Sequence, residues 1–556
     1  MKGSEAFLQT LRSAGVKYIF GNPGTTEVGL LNALKDFPDI QYIMTLHESV
    51  AAGMADGYAR SCRSPGVVSV HTAVGTANTL GMAINAFADY SPLLIMAGLK
   101  DSRSLGGGIF CDTPFHAGDL LRQYTKWTWQ CLEPENISRD TAMALHHALA
   151  APCGPVFLAI PENFWEESVH KEIHPLSTVS RFQPAASQEH INDAARLIGG
   201  ALRPFILAGN EAGAEGVMEL VIRLAEERRI PVFSEERINW SYASFPNDHA
   251  LYCGPYNPRS EPVSAADLCI GIGSKMFMPM AYSPLPHLSP GTKLIHLHPD
   301  LRQIGSLYPA HVGLAGSVGK NLELLLAALS KRQLPPQEEN WRSLWEQYRK
   351  NRIGQLAAIR SKASAKGKYP DIFDLAEKLS HAALPNAIVV NEAIRSGHIL
   401  PDYFTFSSTR SYYGYTGGCL GWGVPAAMGI KLAHPKRQVI AFIGDGSFLF
   451  SCQALWTASR YGLKIKIILC NNGGYMAVKS SLREYHENPA GRNNLVGEIS
   501  RASVDFLSLA RSFGIPALRV ETPAELAAKL QEALSADGSF LLEVMLENEA
   551  LETRHL

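Results

Sequence analysis

Cysteine is scarce and unpatterned in this chain. Its 556 residues include nine cysteines, an odd number, and none stands in a CxxC spacing. That argues against a disulfide framework and a cysteine-based zinc site, and it suits reduced core residues of a cytoplasmic protein. Long apolar runs are also missing. No stretch of about 18 apolar residues occurs, so no membrane span is expected. The start, Met1-Lys-Gly-Ser-Glu-Ala-Phe-Leu8, lacks the apolar core of a signal peptide. Neither sign of charge is in excess: 51 Lys and Arg face 52 Asp and Glu, a net charge of −1. Neither a nucleic acid nor a membrane is therefore an expected partner. Short-period repeats and low-complexity tracts are absent too.

What is present is an alternation of strand and helix signals over a length that suits about three to four domains. Tyr18-Ile-Phe20, Tyr42-Ile-Met44, Val67-Val-Ser-Val70, Leu93-Leu-Ile-Met96 and Val156-Phe-Leu-Ala-Ile160 read as buried strands with helices between them. A second series holds Phe205-Ile-Leu-Ala208, Pro231-Val-Phe233, Leu268-Cys-Ile-Gly-Ile272 and Lys293-Leu-Ile-His-Leu297. A third holds Ile388-Val-Val390, Gln438 to Ile443, Ile465 to Cys470 and Phe540 to Val544. The expected fold class is α/β, as three doubly wound parallel-sheet domains spanning 1–175, 190–330 and 369–556. Polar residues near 165–190 and a charged stretch at about 331–368 read as links. The glycine-bearing loop Gly209-Asn-Glu-Ala-Gly213 fits GxGxxG poorly and reads as a structural βα turn, with nucleotide binding as the alternative.

The most informative stretch is Gly444-Asp-Gly-Ser447, followed after one helix and one strand by Asn471-Asn-Gly-Gly474. Phe448 to Tyr461 has helical spacing, so a right-handed crossover places Asp445 beside Asn472 where α/β sheets bind ligands. One carboxylate, one amide oxygen and a backbone carbonyl near Gly474 form a hard, incompletely filled oxygen site that suits Mg²⁺. Gly444 and Gly446 let the backbone approach a diphosphate. The alternative is a tight βα turn with an aspartate cap.

This pattern resembles the diphosphate-binding motif of thiamine-diphosphate enzymes. Other motifs extend the likeness over nearly the whole chain. They are Phe20-Gly-Asn-Pro-Gly24, Ala55-Asp-Gly-Tyr-Ala59, His71-Thr-Ala-Val-Gly-Thr-Ala-Asn78, Gly417-Gly-Cys-Leu-Gly421 and Ala454-Leu-Trp-Thr457. Together they are similar to the thiamine-diphosphate decarboxylase and carboligase superfamily, and most similar to its benzoylformate decarboxylases. The resemblance implies a pyrimidine-binding, a central and a diphosphate-binding domain, with thiamine diphosphate and Mg²⁺ as cofactors. It also implies a homodimer or homotetramer with active sites between subunits.

Residue by residue, the resemblance makes Glu48 the acid at the pyrimidine ring, where Leu46, Val50 and Met54 suggest an apolar setting that keeps it a proton donor. A helix N-terminal glutamate is the plainer reading. His71 matches the acid/base histidine, against a structural histidine. Thr25 stands where a serine binds the substrate carboxylate, against a turn threonine. Gly418 matches the carbonyl that receives the amino group, and Leu420 the wedge that bends the cofactor, against an ordinary core leucine. Asp445, Asn472 and Gly474 match the metal ligands. Gly444, Gly446, Ser447, Arg395, Ser396 and Tyr475 are the remaining cofactor-binding candidates.

Two departures bear on function. Methionine stands near Phe277-Met-Pro-Met280, where the family carries a second histidine; His287 is nearby but would need a different loop. Phe110, Cys111, Val478 and Ser481 replace a more apolar, aromatic pocket lining. The expected reaction is decarboxylation of a 2-oxo acid to an aldehyde and CO₂. The alternative is a carboligase or lyase of the acetolactate-synthase or 2-hydroxyacyl-CoA-lyase type, since a missing acid slows protonation and leaves time for attack on a carbonyl acceptor.

Overall fold

The computed structural model describes residues 1–111, 116–170, 173–174, 184–236, 239–279, 286–332, 336–363, 368–485, 497–499 and 504–546. Three six-stranded sheets follow one another along the chain. The first holds β1 (Tyr18–Gly21), β2 (Gln41–Met44), β3 (Gly66–His71), β4 (Leu93–Leu99), β5 (Thr128–Gln130) and β6 (Val156–Pro161), in the order β2-β1-β3-β4-β6-β5. The second holds β7 (Pro204–Ala208), β8 (Val232–Ser234), β9 (Tyr252–Pro255), β10 (Leu268–Ile272), β11 (Lys293–His298) and β12 (Val312–Ala315), in the order β12-β11-β10-β7-β8-β9. The third holds β13 (Ile388–Glu392), β14 (Tyr412–Tyr413), β15 (Val439–Gly444), β16 (Ile465–Asn471), β17 (Ala517–Val520) and β18 (Phe540–Met545), in the order β14-β13-β15-β16-β18-β17.

Pairing within each sheet is parallel. Central strands such as β4, β7 and β10 are buried along their whole length, so both faces are covered by helices and the sequence reads as continuous apolar runs. Strand order reverses between β1 and β3, between β7 and β10, and between β13 and β15. These reversals open the crevices in which such sheets bind ligands.

The helix Glu48–Cys62 explains the small residues of the Ala55-Asp-Gly motif. It crosses the helix Gly423–Ala433 so closely that a Cβ on Gly57 would lie 2.3 Å from the Ala426 carbonyl oxygen, and one on Gly429 2.0 Å from that of Met54. The glycines let the first and third units share one apolar core, which includes Val50, Met54, Val424 and Met428.

Three expectations change. The charged stretch at 331–368 holds the 25-residue helix Glu339–Ala363, because Trp341 and Trp345, one turn apart, bury themselves in the central core. Phe448 to Tyr461 is not one helix: Asp445–Leu449 and Ala454–Arg460 are separated by turns. The short outer strands β5, β9, β12, β14 and β17 carried too little signal to be anticipated. Among the described residues no helix is long and apolar enough to cross a membrane.

Candidate active site

The paired register of Gly444 with Cys470 sets the turn after β15 beside the turn after β16. Asp445 is buried there. Burial pushes its carboxyl up to about 6, against the pull of backbone N–H groups of Gly446, Gly473, Gly474 and Asn472. Its Oδ1 accepts from Gly446 N at 2.7 Å. Its Oδ2 is buried without a hydrogen-bond partner, and so is Asn472 Oδ1. Two stranded oxygens are costly unless something supplies positive charge. Among the described residues no three His, Cys, Asp or Glu side chains group around a metal position. A cation here must therefore complete its shell with amide, carbonyl, water or phosphate oxygens, which fits Mg²⁺. The Gly474 carbonyl already accepts from Met476 N at 2.9 Å and retains a second lone pair.

The two glycines of the motif differ. A Cβ on Gly446 would meet the Tyr475 ring at 2.5 Å, so this glycine seats the aromatic ring. A Cβ on Gly444 would meet nothing nearer than 3.8 Å, so the chain itself does not require glycine there. The space beside Gly444 is what a closely approaching ligand would use. Ser447, within the helical turn Asp445–Leu449, and Ser396, which opens the helical turn Ser396–Asp402 after β13, are buried, and Arg395 is half-buried.

Gly418 has φ +83°, a value glycine tolerates best. With Glu392, His398, Tyr415 and Met278 it lines a cavity of about 340 Å³ between the second and third units. Leu420 is half-buried, unlike a leucine of the sealed core. Glu392, at the end of β13, was not anticipated. Its carboxylate accepts from Gly421 N at 2.6 Å, Trp422 N at 3.2 Å and Gly423 N at 2.6 Å. Burial pushes it up to about 8, opposed by those three donors.

On the first sheet, Glu48 opens the helix after β2 and is buried. Its setting is not the apolar one expected. Asn22 donates to Oε1 at 3.1 Å and Asn78 to Oε2 at 2.9 Å, while Leu46 is 40% exposed. His71 ends β3 with Nδ1 2.8 Å from Thr26 Oγ1 and 3.7 Å from Glu27 Oε2. Thr26 also donates to Glu27 Oε1, which extends the chain of contacts. Burial, with Lys100 adding to it, lowers the His71 pKa. Burial raises that of Glu27 to about 7. Gly24 lets the turn close on the imidazole, since a Cβ there would lie 2.3 Å from the ring. Thr25 is exposed at the rim, and its neighbour Thr26 makes the contact with His71. Asn22, Thr26, Glu27 and Asn78 lie inside quoted motifs or next to them, so position was a signal although their roles were not legible.

His287 stacks on Phe277 at 5.4 Å and lies 3.8 Å from Glu236, within the central unit. Met280 falls outside the described residues. Phe110 is 83% and Val478 43% exposed, Ser481 is exposed, and Cys111 is half-buried.

Residues 1–121, 191–325 and 396–544 match, in turn, the families described as thiamine pyrophosphate enzyme N-terminal TPP binding domain, central domain and C-terminal TPP binding domain. The chain is 30% identical to a benzoylformate decarboxylase of Pseudomonas aeruginosa, over 97% of this chain and 98% of that protein. It is 27% identical to an acetolactate synthase large subunit of Haemophilus influenzae, over 96% and 92%. A solved thiamine diphosphate-dependent 4-hydroxybenzoylformate decarboxylase of Rhodococcus jostii superposes with a TM-score of 0.85 at 28% identity, covering 99% of this chain and all of that one. A decarboxylase and a synthase thus match at similar identity.

Proposed function

Because this chain belongs to the thiamine pyrophosphate enzyme family of decarboxylases and acetolactate synthases, we propose that it decarboxylates a 2-oxo acid to an aldehyde and CO₂. Bound thiamine diphosphate supplies the nucleophilic carbon and the electron sink for CO₂ loss. The chain's residues bind, orient and move protons. Asp445, Asn472 and the Gly474 carbonyl hold Mg²⁺. Gly444, Gly446, Ser447, Arg395, Ser396 and Tyr475 surround the diphosphate. Gly418 and Leu420 fix the ring system. Glu48 would hold a proton at its carboxyl for the pyrimidine, its oxygens oriented by Asn22 and Asn78. Thr25 meets the substrate carboxylate.

The observation that favours decarboxylation is the chain of contacts Glu27–Thr26–His71. Thr26 occupies Nδ1, which leaves the imidazole Nε2 to deliver a proton to the product carbon. The carboligase or lyase reading rests on Met278 lining the cavity where a second acid was expected. With one acid, protonation competes with attack on an acceptor carbonyl.

We place the working site between the first and third domains of two subunits, in a homodimer or homotetramer. The hydrogen bonds of Glu48 stay within the first domain. Leu46 and Val74, close in sequence to Glu48 and His71, leave 40% and 62% of their surface uncovered in one chain. Nine free thiols suit a reducing cytoplasm.

The test is CO₂ release from a panel of 2-oxo acids with thiamine diphosphate and Mg²⁺, with and without aldehyde acceptors. Release without acceptor is expected. Turnover only with an acceptor, or cleavage of a 2-hydroxyacyl thioester, favours the second reading. Glu48→Gln should lower kcat by at least about 10²-fold; unchanged turnover would sink the mechanism.

A further inference from the structure

We propose that Asp89 is a positioning residue of the cofactor site, one that fixes the loop carrying Gly418 and Leu420. The inference rests on the thiamine-diphosphate reading above and adds the residue on which that loop's shape depends.

The loop from Gly414 to Trp422 has no regular secondary structure. Gly418 and Gly421 adopt φ +83° and +88°. Such a segment has few internal restraints and high conformational freedom. Its shape must be imposed from outside, and part of that restraint comes from the end of the helix Thr72–Ala88. Asp89 caps that helix and is buried. Its Oδ2 accepts from Thr416 N at 3.1 Å and its Oδ1 from Thr416 Oγ1 at 2.8 Å. One turn earlier, Asn85 grips Cys419 on both backbone groups: Oδ1 accepts from Cys419 N at 3.0 Å, and Nδ2 donates to Cys419 O at 2.9 Å. Gly417 fits between the two clamps because a Cβ there would lie 2.5 Å from Asn85 Cα. Gly417 and Gly418 are thus pinned at both ends.

Asp89 is itself held by partners outside the loop as well. Ser241 Oγ, from the central unit, donates to Oδ1 at 2.7 Å. Arg60 Nη1 lies 3.5 Å from Oδ2. Arg60 is in turn fixed by Tyr242 OH at 2.7 Å and Ser241 O at 3.2 Å, and its guanidinium lies 4.5 Å from the Tyr242 ring centre and 5.1 Å from that of Trp422. One carboxylate therefore joins all three units. It meets the loop between the central-domain contact and the residues that would face the thiazolium and pyrimidine rings. The diphosphate anchor at Asp445 lies on a different strand end and has no hydrogen bond to Asp89.

Asp89 should therefore act on recognition of the ring system and not on recognition of the diphosphate. The test is calorimetric titration of full-length Asp89→Asn and Thr416→Val proteins with Mg²⁺, once with thiamine diphosphate and once with inorganic diphosphate. Thiamine diphosphate should bind about tenfold more weakly in each variant, the scale of a lost buried hydrogen bond to a charged group. Inorganic diphosphate should bind within about twofold of the parent. Thr416→Ser keeps the hydroxyl and should restore parent affinity. Unchanged thiamine diphosphate affinity overturns the inference, as does an equal fall for both ligands, which marks general damage. If Asp89→Asn does not fold, Thr416→Val decides. A parent protein that binds inorganic diphosphate but shows no preference for thiamine diphosphate overturns the proposed function as well, so the two failures are distinguishable.

Discussion

Asn78 reaches across from the helix after His71 to place its amide nitrogen 2.9 Å from Glu48 Oε2, although it is itself exposed. With Asn22 on the other oxygen, the carboxyl plane of Glu48 is set before any ligand arrives. Asn78→Ala should leave the melting temperature nearly unchanged, because an exposed side chain is removed. It should lower kcat/KM about tenfold by freeing one carboxylate oxygen to rotate. Steady-state kinetics beside a thermal melt check this. A large loss of stability with normal turnover would contradict it.

Glu27 gives a pH dependence whose sign is fixed. Burial raises its carboxyl to about 7. The folded state thus favours the protonated form, and its contribution is complete below the ordinary glutamate range. It is lost as pH rises towards about 7, by about 3 kcal/mol in all. Glu27→Gln cannot ionise. Relative to the parent it should gain stability as pH rises from the ordinary glutamate range towards about 7 and hold that gain above. Urea melts at about pH 4 and about pH 8 should show nearly all of the difference at the higher pH. The variant should also lose any activity limb near pH 7 that depends on proton exchange with His71 through Thr26.

The stranded oxygens of Asp445 and Asn472 imply that a divalent cation with thiamine diphosphate raises the melting temperature of the parent protein. Asp445→Ala should abolish that rise and weaken thiamine diphosphate binding at least about 10²-fold. EDTA should reverse the stabilisation in the parent, and added Mg²⁺ should restore it. A parent protein indifferent to EDTA would remove the cation from this site.

The sequence made the central strands legible because they are largely apolar runs, as Val439 to Ile443 is. The pairing of the β15 and β16 ends, Gly444 opposite Cys470, was legible because in a crossover unit chain order predicts spatial order. Short outer strands such as Tyr412–Tyr413 and Ala517–Val520 are defined by their pairing with a neighbour, which no local pattern encodes. Asp89 and Glu392 escaped for a related reason. A buried carboxylate is recognised by its donors, and those of Asp89 lie 152 and 327 residues away. The helix Glu339–Ala363 looked like a link because its charge is dense, and the Trp341–Trp345 spacing that buries one face was the available clue.

Two glycines that look alike in sequence should respond in opposite ways. Gly429 faces the Met54 carbonyl so closely that an added Cβ would sit 2.0 Å from it, backbone against backbone, with no flexible side chain to yield. Gly429→Ala should destabilise the protein by about 1–3 kcal/mol or prevent folding, through forced separation of two helices. Gly444 has φ −73° and ψ 151°, which any residue adopts, and its Cβ would have 3.8 Å of clearance. Gly444→Ala should fold with the parent's melting temperature. Its methyl group would instead occupy the approach to the Asp445 turn, so thiamine diphosphate should bind about tenfold more weakly. If Gly444→Ala binds the cofactor normally, the diphosphate does not approach the backbone at Gly444. If it unfolds, the glycine is required by the chain and not by the ligand.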